Sequence, residues 1–104
     1  MSETTTRPAQ CETMQQVRHG VDTLDRQIVA MLAERFRYME AAARIKPSRE
    51  AVRDEWRKAD VIAKASAAAE KEGAPVARIA LLYDSLVEAS IGHELEVFDA
   101  ARPA

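Results

Sequence analysis

The sequence predicts an all-α fold, on the grounds of its composition, a long heptad pattern and the positions of Pro and Gly. The chain has 104 residues, of which 47% are hydrophobic and 31% are charged, as expected for one small folded domain. It contains 20 alanines but only 3 glycines and 4 prolines, and it lacks runs of the β-branched and aromatic residues that favour strands. We therefore expect three helices, the first of them unusually long.

Charge and cysteine content exclude several classes of function. The 15 Lys and Arg and 17 Asp and Glu give a formal net charge of -2, whereas general nucleic-acid binders are usually basic. The single cysteine, Cys11, rules out an intrachain disulfide and any zinc module built from several cysteines. The first ten residues are polar, and no apolar run is long enough to span a bilayer. We therefore expect a cytoplasmic protein with neither a membrane nor a nucleic-acid partner.

The first helix is predicted over residues 13–46, after a polar tail at 1–12 that we expect to be disordered. Thr13 is a suitable N-cap residue, and Pro47 ends the pattern. Between them, apolar residues recur at alternating steps of three and four, as in a heptad seam. The seam consists of Met14, Val17, Val21, Leu24, Ile28, Met31, Tyr38, Ala42 and Ile45, with Arg35 at one of its positions.

Two shorter helices complete a predicted helical domain over residues 13–102. Asp54 is a suitable N-cap for the second helix, whose apolar positions begin at Trp56, and Gly73 suits the position just after its end. Pro75 suits the first turn of the third helix. The first helix would carry an apolar stripe about 50 Å long. Two shorter helices cannot cover such a stripe, so we infer a homodimer built around the long helices.

Polar residues interrupt the apolar faces, and a charge on a buried face is unfavourable unless something satisfies it. Arg35 stands on the seam of the first helix, and Lys46, eleven residues later, projects from nearly the same face. Ser90 and Glu94, one turn apart, share a face of the third helix. If the first and third helices pack together, these four side chains line one polar pocket.

Further charged residues could complete this pocket. Asp54 and Arg57, at the start of the second helix, are placed to close its mouth, and its fixed cations suit a di-anionic small molecule. Arg18 lies about 25 Å from Arg35 along the helix axis and points roughly 100° away from it. Arg18 is therefore badly placed to reach the pocket of its own chain, whereas in an antiparallel dimer it could reach the pocket of the partner chain.

Five segments, taken in order and with their spacing, resemble the all-helical (type II) chorismate mutases. They are VRHGVDTLDRQIV at 17–29, LAER at 32–35, ARIK at 43–46, VRDEWR at 52–57 and LVEASI at 86–91. The resemblance extends over residues 13–98. It implies an intertwined homodimer of three-helix chains with two shared active sites. It also implies that the chain converts chorismate to prephenate by a Claisen rearrangement that needs no cofactor and no metal.

The same resemblance implies a role for each candidate residue. Arg35 binds one substrate carboxylate, and Arg18 from the partner chain binds the other. Lys46 donates to the ether oxygen, which gains negative charge as its C–O bond breaks. These roles agree with the physics of a pericyclic step, which needs a restrained substrate and donors aimed at developing charge. The remaining substrate contacts implied are a hydrogen bond from the substrate hydroxyl at Asp54, closure of the site by Arg57 and lining of the ring by Ser90.

Glu94 departs from the usual family pattern, in which this position is Gln, although fungal members have Glu. A carboxylate facing the ether oxygen would repel the negative charge that grows there. Glu94 must therefore be protonated to assist the reaction, and burial favours the protonated form of a carboxylic acid.

Two alternative functions stay open. The short connection between Lys46 and Val52 resembles that of isochorismate-pyruvate lyases, which share the fold and release salicylate and pyruvate; Cys11 and Tyr38 resemble that branch too, whereas Asp54 and Ser90 resemble the mutases. A non-catalytic helical dimerisation module is the other alternative. It predicts that Arg35 and Lys46 find carboxylate partners and leave no cavity.

Overall fold

The computed structural model describes residues 4–102 and contains three α-helices. They are α1 (Met14–Ile45), α2 (Glu55–Glu72) and α3 (Val76–Ala101), and single turns of 3-10 helix lie at Pro8–Gln10 and Arg49–Ala51. No β-strand occurs within the described residues, so the all-α prediction is confirmed. The turn at Pro8–Gln10 lies in the segment 1–12, for which disorder stays a prediction, and residues 1–3 lie outside the described part of the chain.

The chain divides into two units, Met1–Arg35 and Phe36–Ala104. Residues 14–35 of α1 belong to the first unit. Residues 36–45 of α1 belong to the second unit, together with α2 and α3.

The N-terminus of α1 is closed by a capping box. The Thr13 hydroxyl accepts a hydrogen bond from the backbone N–H of Gln16 at 3.2 Å. In return, Oε1 of Gln16 accepts from the backbone N–H groups of Glu12 (2.7 Å) and Thr13 (3.2 Å). This reciprocal arrangement satisfies donors that have no partner within the helix, and it confirms Thr13 as the N-cap residue.

The C-terminus of α1 falls one residue before the predicted end. The N–H of Lys46 still donates to the carbonyl of Ala42 at 2.9 Å, but α1 ends at Ile45. Pro47 explains the difference, because a proline disfavours helical backbone at the residue before it. The connection that follows contains a 3-10 turn at Arg49–Ala51.

The helix α2 has the caps that its sequence predicts. The Asp54 carboxylate accepts from the backbone N–H of Arg57 at 3.0 Å. Gly73 adopts the left-handed conformation (φ 71°), and the N–H of Ala74 reaches the carbonyl of Ala69 at 2.8 Å, which is the Schellman pattern. Pro75 caps α3 from outside its first turn, one residue before the position predicted.

The core of the second unit lies where α2, α3 and the end of α1 meet. Its buried residues are Ala43, Val52, Val87, Ile91 and Phe98, and Val61, Leu95 and Val97 pack against them. Trp56, the second residue of α2, is 76% exposed. Trp56 therefore lies outside this core, and α2 packs against the core at Val61 instead.

The apolar seam of the first unit is exposed. Its members Met14, Val17, Val21, Leu24, Ile28 and Met31 have exposed fractions between 38% and 64%. This exposure agrees with the inference that one chain cannot cover the seam, while the homodimer itself stays a prediction. Within residues 4–102, no helix has the length and hydropathy needed to cross a membrane.

Candidate active site

The second unit brings Lys46, from the end of α1, against Glu94 of α3. The Lys46 Nζ lies 2.7 Å from Oε2 of Glu94, and the Glu94 side chain is only 4% exposed against 30% for Lys46. The contact has the distance of an ion pair without the geometry of a directed hydrogen bond at that oxygen. The same Nζ donates to the carbonyl of Val52 at 3.3 Å. The prediction that Lys46 and Glu94 share one polar site is consistent with this contact.

Ser90 lies one turn before Glu94 on α3 and is buried, with 3% exposure. Its hydroxyl donates to the carbonyl of Leu86 at 2.7 Å. Such a bond to the preceding turn satisfies the hydroxyl proton inside the helix. In substrate recognition Ser90 would therefore act through its oxygen, as an acceptor, or through its small size.

Asp54 and Arg57 lie at the start of α2 and are exposed. The Asp54 carboxylate serves as the helix cap, and the Arg57 guanidinium lies 2.6 Å from the carboxylate of Asp60. Lys64, 3.0 Å from the same carboxylate, joins Arg57 in lowering the pKa of Asp60, with Lys64 making the larger contribution. Both predicted residues thus make local contacts along α2 in the free chain.

Arg18 and Arg35 belong to the first unit. Arg18 is exposed and Arg35 is half-buried. Their roles as carboxylate ligands stay predictions.

An ionic cluster that fastens α2 to α3 was not predicted from the sequence. The Arg53 guanidinium binds both oxygens of Glu88 (2.7 and 3.1 Å), and Lys58 lies 2.8 Å from Glu88 and 3.1 Å from Asp84. Hydrogen bonds from Arg53 first, and from Lys58 second, lower the pKa of Glu88 to about 2. Because Arg53 and Lys58 flank Asp54 and Arg57 in the chain, this cluster fixes the start of α2.

Two further contacts tie the C-terminal half of α3 to its neighbours. His93 Nε2 lies 2.8 Å from the Glu40 carboxylate of α1, and its ring is nearly perpendicular to that of Phe36, with centroids 5.2 Å apart. Arg49, in the 3-10 turn, binds Asp99 through two bonds of 2.9 and 3.3 Å. These partners are about fifty residues apart in the chain, so no local sequence signal predicts them.

A surface cleft in the second unit is separate from the predicted site residues. It has a volume of about 470 Å³ and is lined by Glu40, Arg44, Val97, Ala101 and Arg102. Among residues 4–102, no cluster of three or more His, Cys, Asp or Glu side chains could hold a metal ion.

The fold and the site define a class of small all-helical protein. In this class a lysine at the end of the long first helix, here Lys46, contacts a buried carboxylate of the third helix, here Glu94. The sequence profile of type II chorismate mutases matches residues 17–95, a span that includes all seven predicted site residues. The chain belongs to the type II chorismate mutase family, a family of isomerases, and the resemblance stated from the sequence is confirmed at that level. No curated protein matched the chain.

Proposed function

We propose that the chain is a chorismate mutase, which converts chorismate to prephenate by an intramolecular Claisen rearrangement. The observation that carries the proposal is the half-buried Lys46 ammonium held against buried Glu94, both within the span of the family match. The reaction breaks the C–O bond of the enolpyruvyl ether and forms a C–C bond to the ring. The ether oxygen becomes a keto oxygen, and the step needs no nucleophile and no net transfer of a proton.

Lys46 is the proposed donor to the ether oxygen. An ammonium group has three donors. One of them is engaged by the Val52 carbonyl, and the contact with Glu94 is an ion pair without hydrogen-bond geometry. A further donor can therefore meet a substrate oxygen. A fixed donor of this kind stabilises charge that is larger in the transition state than in the substrate, so it raises the rate of the chemical step.

Glu94 is the proposed second group at the ether oxygen. In the free chain its carboxylate lies against the Lys46 ammonium. When Lys46 turns its charge toward the substrate, an ionised Glu94 would oppose the reaction, whereas a protonated Glu94 would donate a second hydrogen bond. Activity therefore depends on the proton at Glu94.

The remaining residues are proposed to bind and orient the substrate. Arg35, and Arg18 from a second copy of the chain, bind its two carboxylates, so a homodimer with shared sites is part of the proposal. Asp54 binds the hydroxyl, Arg57 closes the site and Ser90 lines it. The cytoplasmic location expected from the sequence stays a prediction.

The non-catalytic dimerisation module remains the second candidate, because it predicts a carboxylate partner for Lys46 and Glu94 is such a partner. The isochorismate-pyruvate lyase is a third, on account of the short connection after Lys46. The three candidate functions differ in what they form: the mutase forms prephenate, the lyase forms salicylate and pyruvate, and the dimerisation module forms neither.

The test is to incubate the protein separately with chorismate and with isochorismate and to identify the products by chromatography. The protein is purified from a host that lacks chorismate mutase, and Lys46→Met prepared in parallel controls for contamination. We expect prephenate from chorismate. Salicylate and pyruvate from isochorismate, with little prephenate, would assign the chain to the lyases, and no product from either substrate would favour the dimerisation module.

A further inference from the structure

The guanidinium of Arg102 lies where α1 ends. Its NH1 donates to the carbonyl of Ala43 at 3.0 Å, and its NH2 donates to the carbonyls of Arg44 and Lys46, both at 3.2 Å. One side chain near the end of the chain thus binds three carbonyls at the C-terminus of a distant helix. The residue is outside the span of the family match, so family membership assigns it no role.

This arrangement suits the chemistry of a helix end. The last carbonyls of a helix have no partner within it and carry partial negative charge. A guanidinium has five donors in a planar fork and keeps its charge at any physiological pH. The ring of Phe98 holds that plane, since the Arg102 carbon CZ lies 3.9 Å from its centroid and Phe98 is buried.

We call the Arg102 guanidinium and the three carbonyls that it binds the clamp. The clamp includes the backbone of Lys46. Its carbonyl is bound by Arg102 and its N–H by the carbonyl of Ala42, so both peptide groups that flank its Cα are fixed. From this fixed Cα the side chain extends to Glu94 and to the Val52 carbonyl. A change in the backbone at Lys46 would therefore displace its Nζ.

We propose that Arg102 is a positioning residue that sets the location of the Lys46 ammonium. Its effect on turnover rests on the proposed mutase function, but its effect on Lys46 does not. A displacement of about 1 Å in a reacting group can reduce a rate about 100-fold. Because Lys46 acts on charge that develops in the transition state, loss of the clamp lowers kcat and leaves KM nearly unchanged.

The test compares Arg102→Gln and Arg102→Lys with the control Arg49→Gln. Arg49, in the 3-10 turn, also contacts the C-terminal part of α3, but it binds the Asp99 carboxylate there, and within the described residues it donates to no carbonyl of α1. Two quantities are measured on folded protein. One is kcat and KM for prephenate formation. The other is the rate at which an amine-acylating reagent modifies Lys46, determined by peptide mass spectrometry with Lys58 as the internal reference.

For Arg102→Gln we expect kcat to fall about 10- to 100-fold with KM nearly constant, and acylation of Lys46 to accelerate relative to Lys58. Arg102→Lys, which keeps the charge but loses the fork, should give a partial recovery. Arg49→Gln should match the wild type in both quantities. If Arg102→Gln does not fold, Arg102→Lys alone decides through the same acylation ratio.

An unchanged acylation ratio in a folded Arg102 variant would overturn the proposal, and so would an equal change in Arg49→Gln. The proposed mutase function is tested separately by the wild-type protein. If that protein formed no prephenate, the mutase proposal would fail, and the acylation ratio would still decide whether Arg102 positions Lys46.

Discussion

At the scale of single residues, the pairing of Lys46 with Glu94 links stability to chemistry. Glu94 is almost completely buried, and its carboxylate lies against an ammonium that is partly open to solvent. Removing one partner of a buried ion pair leaves the other charge without compensation, which destabilises a protein by about 3–5 kcal/mol unless the remaining group changes its protonation. An unpaired Lys46 ammonium is less unfavourable than an unpaired Glu94 carboxylate, because the Lys46 side chain still reaches water.

The proton at Glu94 gives the first prediction. Activity of the wild-type protein should fall as pH rises and Glu94 loses its proton, whereas Glu94→Gln should remove this dependence because an amide donates at every pH. The measurement is kcat/KM for chorismate from pH 4.5 to 9, with Glu96→Gln, an exposed glutamate two residues away, as the control. Parallel profiles in the wild type and Glu94→Gln would mean that Glu94 does not set the dependence.

At the scale of elements, the ends of the helices could be predicted because each depends on a few neighbouring residues. Thr13 and Asp54 accept from backbone N–H groups three positions ahead, and Gly73 supplies the left-handed turn that ends α2. Short sequence segments therefore indicate where these helices begin and end: Asp54 marks the start of α2, Gly73 its end and Pro75 the start of α3. Long-range partners have no such signature, and charge type alone does not select one partner among many.

The same distinction between local and long-range contacts applies to the candidate site. The spacing in the sequence placed Lys46 on one helix face and Glu94 on another, and their contact required the two helices to pack. The Arg53–Glu88 and Arg102–Lys46 contacts join residues 35 and 56 positions apart. They depend on the final packing of α3, so the sequence pattern did not predict them.

The ionic cluster between α2 and α3 gives a prediction about acid stability. Its arginine and lysine lower the pKa of Glu88 to about 2, below the value of about 4.3 expected in the unfolded chain. A lowered pKa stabilises the fold above the unfolded value, and this contribution disappears as pH falls from about 4.5 to about 2.

Glu88→Gln should therefore lower the unfolding temperature at pH 6, and its difference from the wild type should shrink as the pH approaches 2. Circular dichroism melts across this range measure the difference. Glu70→Gln, an exposed glutamate near the other end of α2, is the control and should stay close to the wild type throughout. A difference between Glu88→Gln and the wild type that stays constant with pH would show that the cluster does not stabilise the fold through the charge of Glu88.

At the scale of the whole molecule, the exposed seam of α1 is the surface through which we expect the chain to associate. Six apolar side chains at heptad spacing are open to solvent along residues 14–31, and an apolar surface of this kind favours association. A second copy of the chain offers the same seam, so a twofold dimer covers both. The proposed contribution of Arg18 to a partner's site depends on that dimer.

Ile28→Glu should dissociate the dimer, because it places a charge on the seam, whereas Gln27→Glu places the same charge one residue off it. Sedimentation equilibrium should give about twice the chain mass of 11.5 kDa for the wild type and Gln27→Glu, and the chain mass for Ile28→Glu. Ile28→Glu should also lose turnover. A wild-type protein that sediments as a monomer would exclude shared active sites.

The most direct test of the account is the rate of prephenate formation from chorismate by the wild type, Lys46→Met and Lys64→Met, each shown to be folded. Lys64 is an exposed lysine of α2 that pairs with Asp60, so it controls for the loss of one positive charge. We expect the wild type and Lys64→Met to have similar kcat, and Lys46→Met to lose about 100- to 1,000-fold, as for removal of one donor to a developing oxyanion. Equal rates in the wild type and Lys46→Met would contradict the role of Lys46, and the absence of prephenate from the wild type would contradict the proposed function.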